Sequence, residues 1–191
     1  FVFPGQGSQY LDMGCDLAME FAEAQAVWDE TIASLDGETP LHRVVFPVPA
    51  FDPAIEASQR ERLVRTEWAQ PAIGAHSAAL LAVLRKAGVH ADFATGHSFG
   101  ELTALFAAGS MDLPLFLRAA RERGRLMRDA AHGSSSTMTA VAASADWIEP
   151  VVREHGLDLV CANRNSPRQT VVAGTVPEVE RFEEILEAAR V

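Results

Sequence analysis

Few architectures have a use for the run Gly96-His97-Ser98-Phe99-Gly100. It fits G-x-S-x-G, the pattern of a sharp strand-to-helix turn that holds a serine in a strained conformation with its oxygen exposed. Side chains at 96 and 100 would collide with the neighbouring strand and helix, which is the physical reason for the two glycines. The flanks supply both elements: Asp92 to Thr95 predicts a brief strand and Glu101 to Ala108 a helix. Ser98 is therefore the candidate nucleophile, and the amide of Phe99, at the helix start, can donate to an oxyanion.

Upstream, Phe1 to Phe3 is a short apolar run that breaks into Pro4-Gly5-Gln6-Gly7-Ser8, a strand end followed by a glycine loop and a helix entry. Leu17, Phe21, Ala24, Trp28 and Ile32 recur at helical spacing and predict one long helix. Pro40 to Pro53 predicts an irregular connection. Pro71 suits the first position of a second helix, with Ile73, Leu80 and Leu84 on its apolar face and an end near Gly88. A further helix spans Leu113 to Asp129, and Gly133-Ser134-Ser135-Ser136 reads as a linker. Beyond it the order is strand (Met138 to Ala142), helix (Asp146 to His155), strand (Leu157 to Asn163), strand (Thr170 to Ala173) and helix (Pro177 to Arg190). This alternation implies an α/β layer structure with a mainly parallel sheet over residues 1–129, followed by a small α+β subdomain over 130–191.

A net charge of −10 argues against a nucleic-acid partner, because phosphate contacts demand a basic surface. Apolar stretches are broken well short of the roughly 20 residues a bilayer span needs, and no basic region with a hydrophobic run opens the chain. A cytoplasmic protein with no membrane partner is expected. Cys15 and Cys161 lie far apart, outside any C-x-x-C pattern, so they predict neither a disulfide nor a zinc site but two buried small hydrophobes. The start at Phe1 and the helical last residues give the sequence the look of a piece cut from something longer.

Two further residues carry chemistry. The loop Phe3-Pro4-Gly5-Gln6-Gly7-Ser8-Gln9 lacks the G-K-[ST] ending of a phosphate loop and the spacing of a dinucleotide loop. Two glycines around Gln6 would instead let its backbone amide approach a ligand, as a second oxyanion donor. In the helix Leu113 to Asp129, Arg118, Arg121, Arg125 and Arg128 share one arc and predict a solvated basic face. Arg123 falls at roughly 140° from Arg118, among Phe116, Ala119, Ala120, Leu126 and Met127. A guanidinium there needs an anion, either a structural Asp or Glu or a carboxylate on the substrate. A serine nucleophile also needs a base. His97 is adjacent but diverges at a tight elbow, His76 reads as a satisfied core histidine, and His42, His90, His132 and His155 sit in loops or at element ends. None makes a convincing base.

These segments, taken in order, resemble the acyltransferase family that loads malonyl units onto acyl carrier proteins in fatty-acid and polyketide synthesis. Phe3 to Gln9 resembles its N-terminal signature, Gln70-Pro71-Ala72 its second, and Gly96 to Glu101 its nucleophile motif. Arg123-Gly124-Arg125-Leu126-Met127 resembles the segment holding its substrate arginine, and Asn163 to Gly174 the N-x-x-S-P-x-Q-x-V-V-x-G stretch of its small subdomain. The resemblance implies an α/β-hydrolase-like core, residues 1–129, with an inserted ferredoxin-like subdomain, residues 130–191, and a C-terminal part absent from this chain. It implies Ser98 as the acylated nucleophile, Gln6 and Phe99 as oxyanion donors, Arg123 as the ligand of the malonyl carboxylate, and a general-base histidine downstream. The substrate would be malonyl-CoA, with no bound cofactor or metal, and the partners an acyl carrier protein bearing phosphopantetheine and the other domains of a multidomain synthase.

Phe99 followed by Gly100-Glu101-Leu102-Thr103-Ala104-Leu105 looks like iterative synthases of the enediyne and polyunsaturated fatty-acid kind. If its side chain points into the acyl pocket, it leaves little room for an α-methyl branch and favours malonyl. The rival readings are a serine hydrolase or thioesterase built on the same elbow, and a non-catalytic docking fragment.

Overall fold

The computed structural model describes residues 1–35, 37, 39–131 and 135–189. Gly133 and Ser134 of the expected linker, the loop histidine His132, and Arg190 at the end of the expected last helix lie outside them. The chain divides into two compact units, Phe1–Asp129 and Ala130–Val191. Among the described residues no helix is long and apolar enough to cross a membrane.

The first unit is helical around one small parallel sheet. Strand β1 (Val2–Phe3) is followed by α1 (Cys15–Glu20), α2 (Ala22–Ser34), α3 (His42–Val45), α4 (Pro53–Val64) and α5 (Thr66–Lys86). Then come β2 (Thr95–Gly96), α6 (Phe99–Ala107) and α7 (Leu113–Ala131). The two strands pair in parallel, Val2 opposite Thr95 and Phe3 opposite Gly96. Parallel pairing among the described residues is thus confined to two two-residue strands, far less than the mainly parallel sheet expected. Met13, Trp28, Leu41, Val45, Leu63, Ile73, Phe99, Phe116 and Leu117 are among the buried residues of its core.

The expected first helix is broken. Phe21 is extended at φ −121° and ψ 119°, which resets the helical phase between α1 and α2. Ala24, Val27, Trp28 and Thr31 form the buried face of α2, whereas Phe21 and Ile32 are exposed. Helix α4 was not expected, because Leu63 is its one buried residue and a lone apolar position carries no periodicity. Its local signal is the cap: Asp52 Oδ1 accepts from the Ala54 amide at 2.9 Å, and Pro53 follows at the first helical position. Helix α5 starts at Thr66, so Pro71 lies inside it rather than at its head. Its buried side consists largely of Ala69, Ala72, Gly74, Ala75, Ala78 and Ala79, with Leu80 and Leu84 at the exposed rim.

The second unit begins with β3 (Ser136–Val141) and α8 (Ala145–Glu154), the latter capped by Ser144 Oγ accepting from Trp147 N. It continues through β4 (Leu159–Ser166), β5 (Gln169–Thr175) and α9 (Val176–Ala189). The sheet is antiparallel in the order β3-β5-β4. Thr170 and Val172 are buried at period two, and Val172 packs with Ile148, Phe182 and Leu186 of the helices. Cys15 and Cys161 are free and half-buried, not the fully buried small residues expected.

Gly124 shows how closely α7 rides on α5. A Cβ there would lie 2.6 Å from the Thr66 carbonyl oxygen and 2.9 Å from Glu67 Cα, both backbone atoms that cannot swing aside. In an open helix Gly→Ala gains about 1 kcal/mol, but overpacking costs about 1–3 kcal/mol and should win here. Gly124→Ala is therefore expected to lower the urea midpoint of unfolding; a raised midpoint would show that the two helices separate freely.

Candidate active site

The loops that leave β1 and β2 emerge side by side at the carboxyl ends of adjacent parallel strands, the usual place for a site in an α/β fold. Ser98 sits at the turn with φ 53° and ψ −111°, a left-sided conformation that is strained for a non-glycine residue. The His97 amide donates to the Phe3 carbonyl at 3.3 Å, and the Gly100 and Glu101 amides donate to the His97 and Ser98 carbonyls. A Cβ at Gly96 would run into the Gly100 carbonyl, and one at Gly100 into the Phe3 carbonyl. The turn is thus pinned on both sides by backbone, and strain at Ser98 is held rather than relaxed.

Ser98 is exposed, and its hydroxyl makes no hydrogen bond with any described residue. The amides of Phe99 and Gln6 take part in no backbone hydrogen bond among the described residues. The Gln6 loop is braced internally, Gly7 N donating to Gln9 Oε1 at 2.8 Å and Ser8 Oγ to the Gly5 carbonyl at 3.0 Å. A Cβ at Gly5 would lie 2.7 Å from the His97 carbonyl oxygen, so this loop presses on the elbow itself. Gln6 Nε2 donates to Thr66 Oγ1 at 3.2 Å, tying the loop to the head of α5.

Arg123 is half-buried beside the same helix head. Its Nη1 donates to Gln70 Oε1 at 2.7 Å and lies 3.3 Å from Met127 Sδ. Gln70 is fully buried and its Nε2 donates to the same sulfur at 3.2 Å. Neither of the two expected anions is needed to anchor the guanidinium: Arg123 forms no ion pair among the described residues, and its partners are neutral. The sequence resemblance includes Gln70 in the second signature but gives it no role. A glutamine inside a run of buried small residues, between Ala69 and Pro71, was the available signal.

The rest of α7 departs from the wheel. Phe116, Leu117, Ala120 and Gly124 form its buried face, Leu126 and Met127 are exposed, and Arg123 flanks the apolar stripe rather than occupying its middle. The basic arc is not uniformly solvated either. The Arg121 guanidinium stacks on Trp68 at 4.9 Å, and Arg128 pairs with Asp129 at 2.7 Å and Glu67 at 3.8 Å. Phe99 is fully buried, its ring lying with Phe116 over Gly74 in the core. It does not present a bulky wall to the surface that carries Ser98, and so sets no steric limit on an α-methyl branch there.

His76 is not the satisfied core histidine expected. Its Nδ1 is buried and meets no hydrogen-bond partner among the described residues, and the ring lines an apolar cavity of about 340 Å³ with Phe1, Ile73, Leu81 and Leu84. Ser98, Gln6 and Arg123 are not on that wall. Among the described residues no group of three or more His, Cys, Asp or Glu comes together to hold a metal ion.

The acyl transferase domain model matches residues 1–191. The chain belongs to the acyl transferase domain family. It is 34% identical over 189 residues to the malonyl CoA-acyl carrier protein transacylase of Bacillus subtilis, covering 97% of this chain and 56% of that protein. It is 39% identical over 189 residues to the polyketide synthase GfsA of Streptomyces halstedii, covering 97% of this chain and 2% of that synthase. Among solved structures, the malonyl CoA-acyl carrier protein transacylase of Clostridium perfringens superposes with a TM-score of 0.84 at 26% identity, over 99% of this chain and 57% of that one. A malonyl-transacylase solved in complex with its type II polyketide synthase acyl-carrier protein superposes at 0.82 with 33% identity, over 98% of this chain and 58% of that one. The chain therefore spans a little over half the length of the transacylases it matches, and its α/β fold is theirs over that length.

Burial holds the His76 imidazole below its ordinary pKa of 6.5. The unfolded chain then binds a proton near that pH which the folded chain refuses, so stability present above it declines as pH falls. His76→Phe should flatten the fall of the unfolding midpoint between pH 7 and pH 5. An unchanged slope would place the acid sensitivity elsewhere.

Proposed function

We propose that this chain carries the nucleophile and the substrate arginine of a malonyl-CoA:acyl carrier protein acyltransferase. The observation that carries the reading is the strained, exposed Ser98 flanked by the unused amides of Phe99 and Gln6, with Arg123 held nearby by a neutral glutamine. Ser98 Oγ attacks the thioester carbonyl of malonyl-CoA as its proton passes to a base. The tetrahedral oxyanion is met by the two amides, and expulsion of the coenzyme A thiolate leaves a malonyl-serine ester. The phosphopantetheine thiol of the carrier then attacks that ester, forming the new thioester and returning the proton to Ser98. No described residue is hydrogen-bonded to Ser98 Oγ, and we assign the base to the part of the relatives that this chain does not span.

A neutral anchor leaves the charge of Arg123 uncommitted. That favours acyl groups bearing a carboxylate, and so a malonyl transferase over an ordinary esterase or thioesterase on the same elbow. The relatives named above, transacylases and a polyketide synthase, support the same reading, with a carrier protein and neighbouring synthase domains as partners. We propose the cytoplasm as the chain's compartment. We read residues 1–129 as an α/β-hydrolase-like core and 130–191 as a ferredoxin-like subdomain. The β3-α8-β4-β5-α9 order with β5 central is the split βαβ pattern short of one strand.

In the complete domain, malonyl-CoA should add a malonyl mass to the peptide containing Ser98 and to none in Ser98→Ala. Arg123→Ala should lose about 1.5–3 kcal/mol of malonyl over acetyl preference, roughly 10- to 150-fold in relative kcat/KM, and Arg123→Lys should recover little of it. A label on another residue, or an unchanged preference, would contradict the assignment.

A further inference from the structure

We propose that Thr66 is the positioning residue of the Gln6 loop, an inference that rests on the oxyanion role given to the Gln6 amide. Upstream of Gln6 the loop is held by the approach of Gly5 to the His97 carbonyl, and downstream by the Gly7–Gln9 and Ser8–Gly5 hydrogen bonds. Among the described residues Gln6 itself, between these braces, is held by one hydrogen bond, from its Nε2 to Thr66 Oγ1 at 3.2 Å. Thr66 is the first residue of α5, where the carbonyl that Gly124 approaches also belongs to it.

The position has a second consequence. Gln70, which accepts from Arg123, stands four residues after Thr66, on the same face of the helix. One helical turn therefore holds the oxyanion loop at one end and the guanidinium at the other. The distance between them is set by the rigid rise of that turn, not by either loop. Thr66 acts on the reacting carbonyl and Gln70 on the acyl carboxylate, so the two ends have different kinetic signatures.

Thr66→Val keeps the shape of the side chain and removes the acceptor. In the complete domain it should lower kcat roughly 10- to 100-fold, the scale of a misplaced reacting group, equally with malonyl-CoA and acetyl-CoA and with little change in KM. Thr66→Ser should restore kcat to within about threefold, since the hydroxyl returns. Gln6→Met, which keeps the backbone amide and removes the side-chain donor, should reproduce the Thr66→Val defect, and the double variant should be no worse than either alone. Wild-type kcat in Thr66→Val, a loss confined to malonyl-CoA, no rescue by serine, or additive effects in the double variant would each overturn the proposal. A wild-type domain that never acylates Ser98 would overturn the functional reading and this inference together, which the parallel wild-type assay reveals.

Discussion

The Phe3 carbonyl occupies the space where a side chain at residue 100 would stand, and the Gly100 carbonyl the space for one at residue 96. Everything in the candidate site depends on that double contact of backbone on backbone. It seats the head of α6 directly on the end of β1, holds Ser98 in its left-sided conformation, and leaves the Phe99 amide without a backbone partner among the described residues while its ring goes into the core. A pair of two-residue strands would be a weak scaffold on its own. The glycines convert it into a rigid one by removing every side chain that would hold the segments apart.

Helix α5 extends this arrangement to Arg123, the residue proposed to bind the acyl carboxylate. A fully buried glutamine is costly unless its amide is satisfied, at about 1–3 kcal/mol for an orphaned polar group. Gln70 avoids that cost by accepting from Arg123 and donating to Met127. The same contacts immobilise a long, rotamer-rich side chain in advance, so under the proposed function an incoming carboxylate would meet a guanidinium already oriented. An Asp or Glu partner would have oriented it equally well but neutralised it. A neutral partner orients it and leaves the charge for the ligand.

Much of this was legible in the sequence where local chemistry decides the outcome. The elbow, the glycine loop and the helix ends near residues 88 and 129 follow from glycine placement and periodicity within a few residues. What was not legible depends on contacts between distant segments. Leu126 and Met127 look apolar on a wheel, but the buried face of α7 is set by which side meets α5, and it runs through Phe116, Ala120 and Gly124 instead. The break at Phe21 is invisible to a periodicity count that spans it, and α4 has too few apolar residues to show a period at all. Thr66 is an ordinary polar residue in the sequence, and Gln70 stands in a signature that says nothing of its partner; the packing of α7 and the Gln6 loop on one helical turn supplies their contacts.

In the proposed mechanism one constellation, Ser98 with the Phe99 and Gln6 amides and Arg123 beside the head of α5, holds both ends of a malonyl group. The most direct measurement is the crystal structure of the complete domain with Ser98 acylated from malonyl-CoA. The ester carbonyl oxygen is expected at about 3 Å from the amides of Gln6 and Phe99, and the free carboxylate paired with Arg123 while Gln70 keeps its hold on Nη1. A malonyl group whose carboxylate turns away from Arg123, or whose carbonyl oxygen faces solvent, would contradict it.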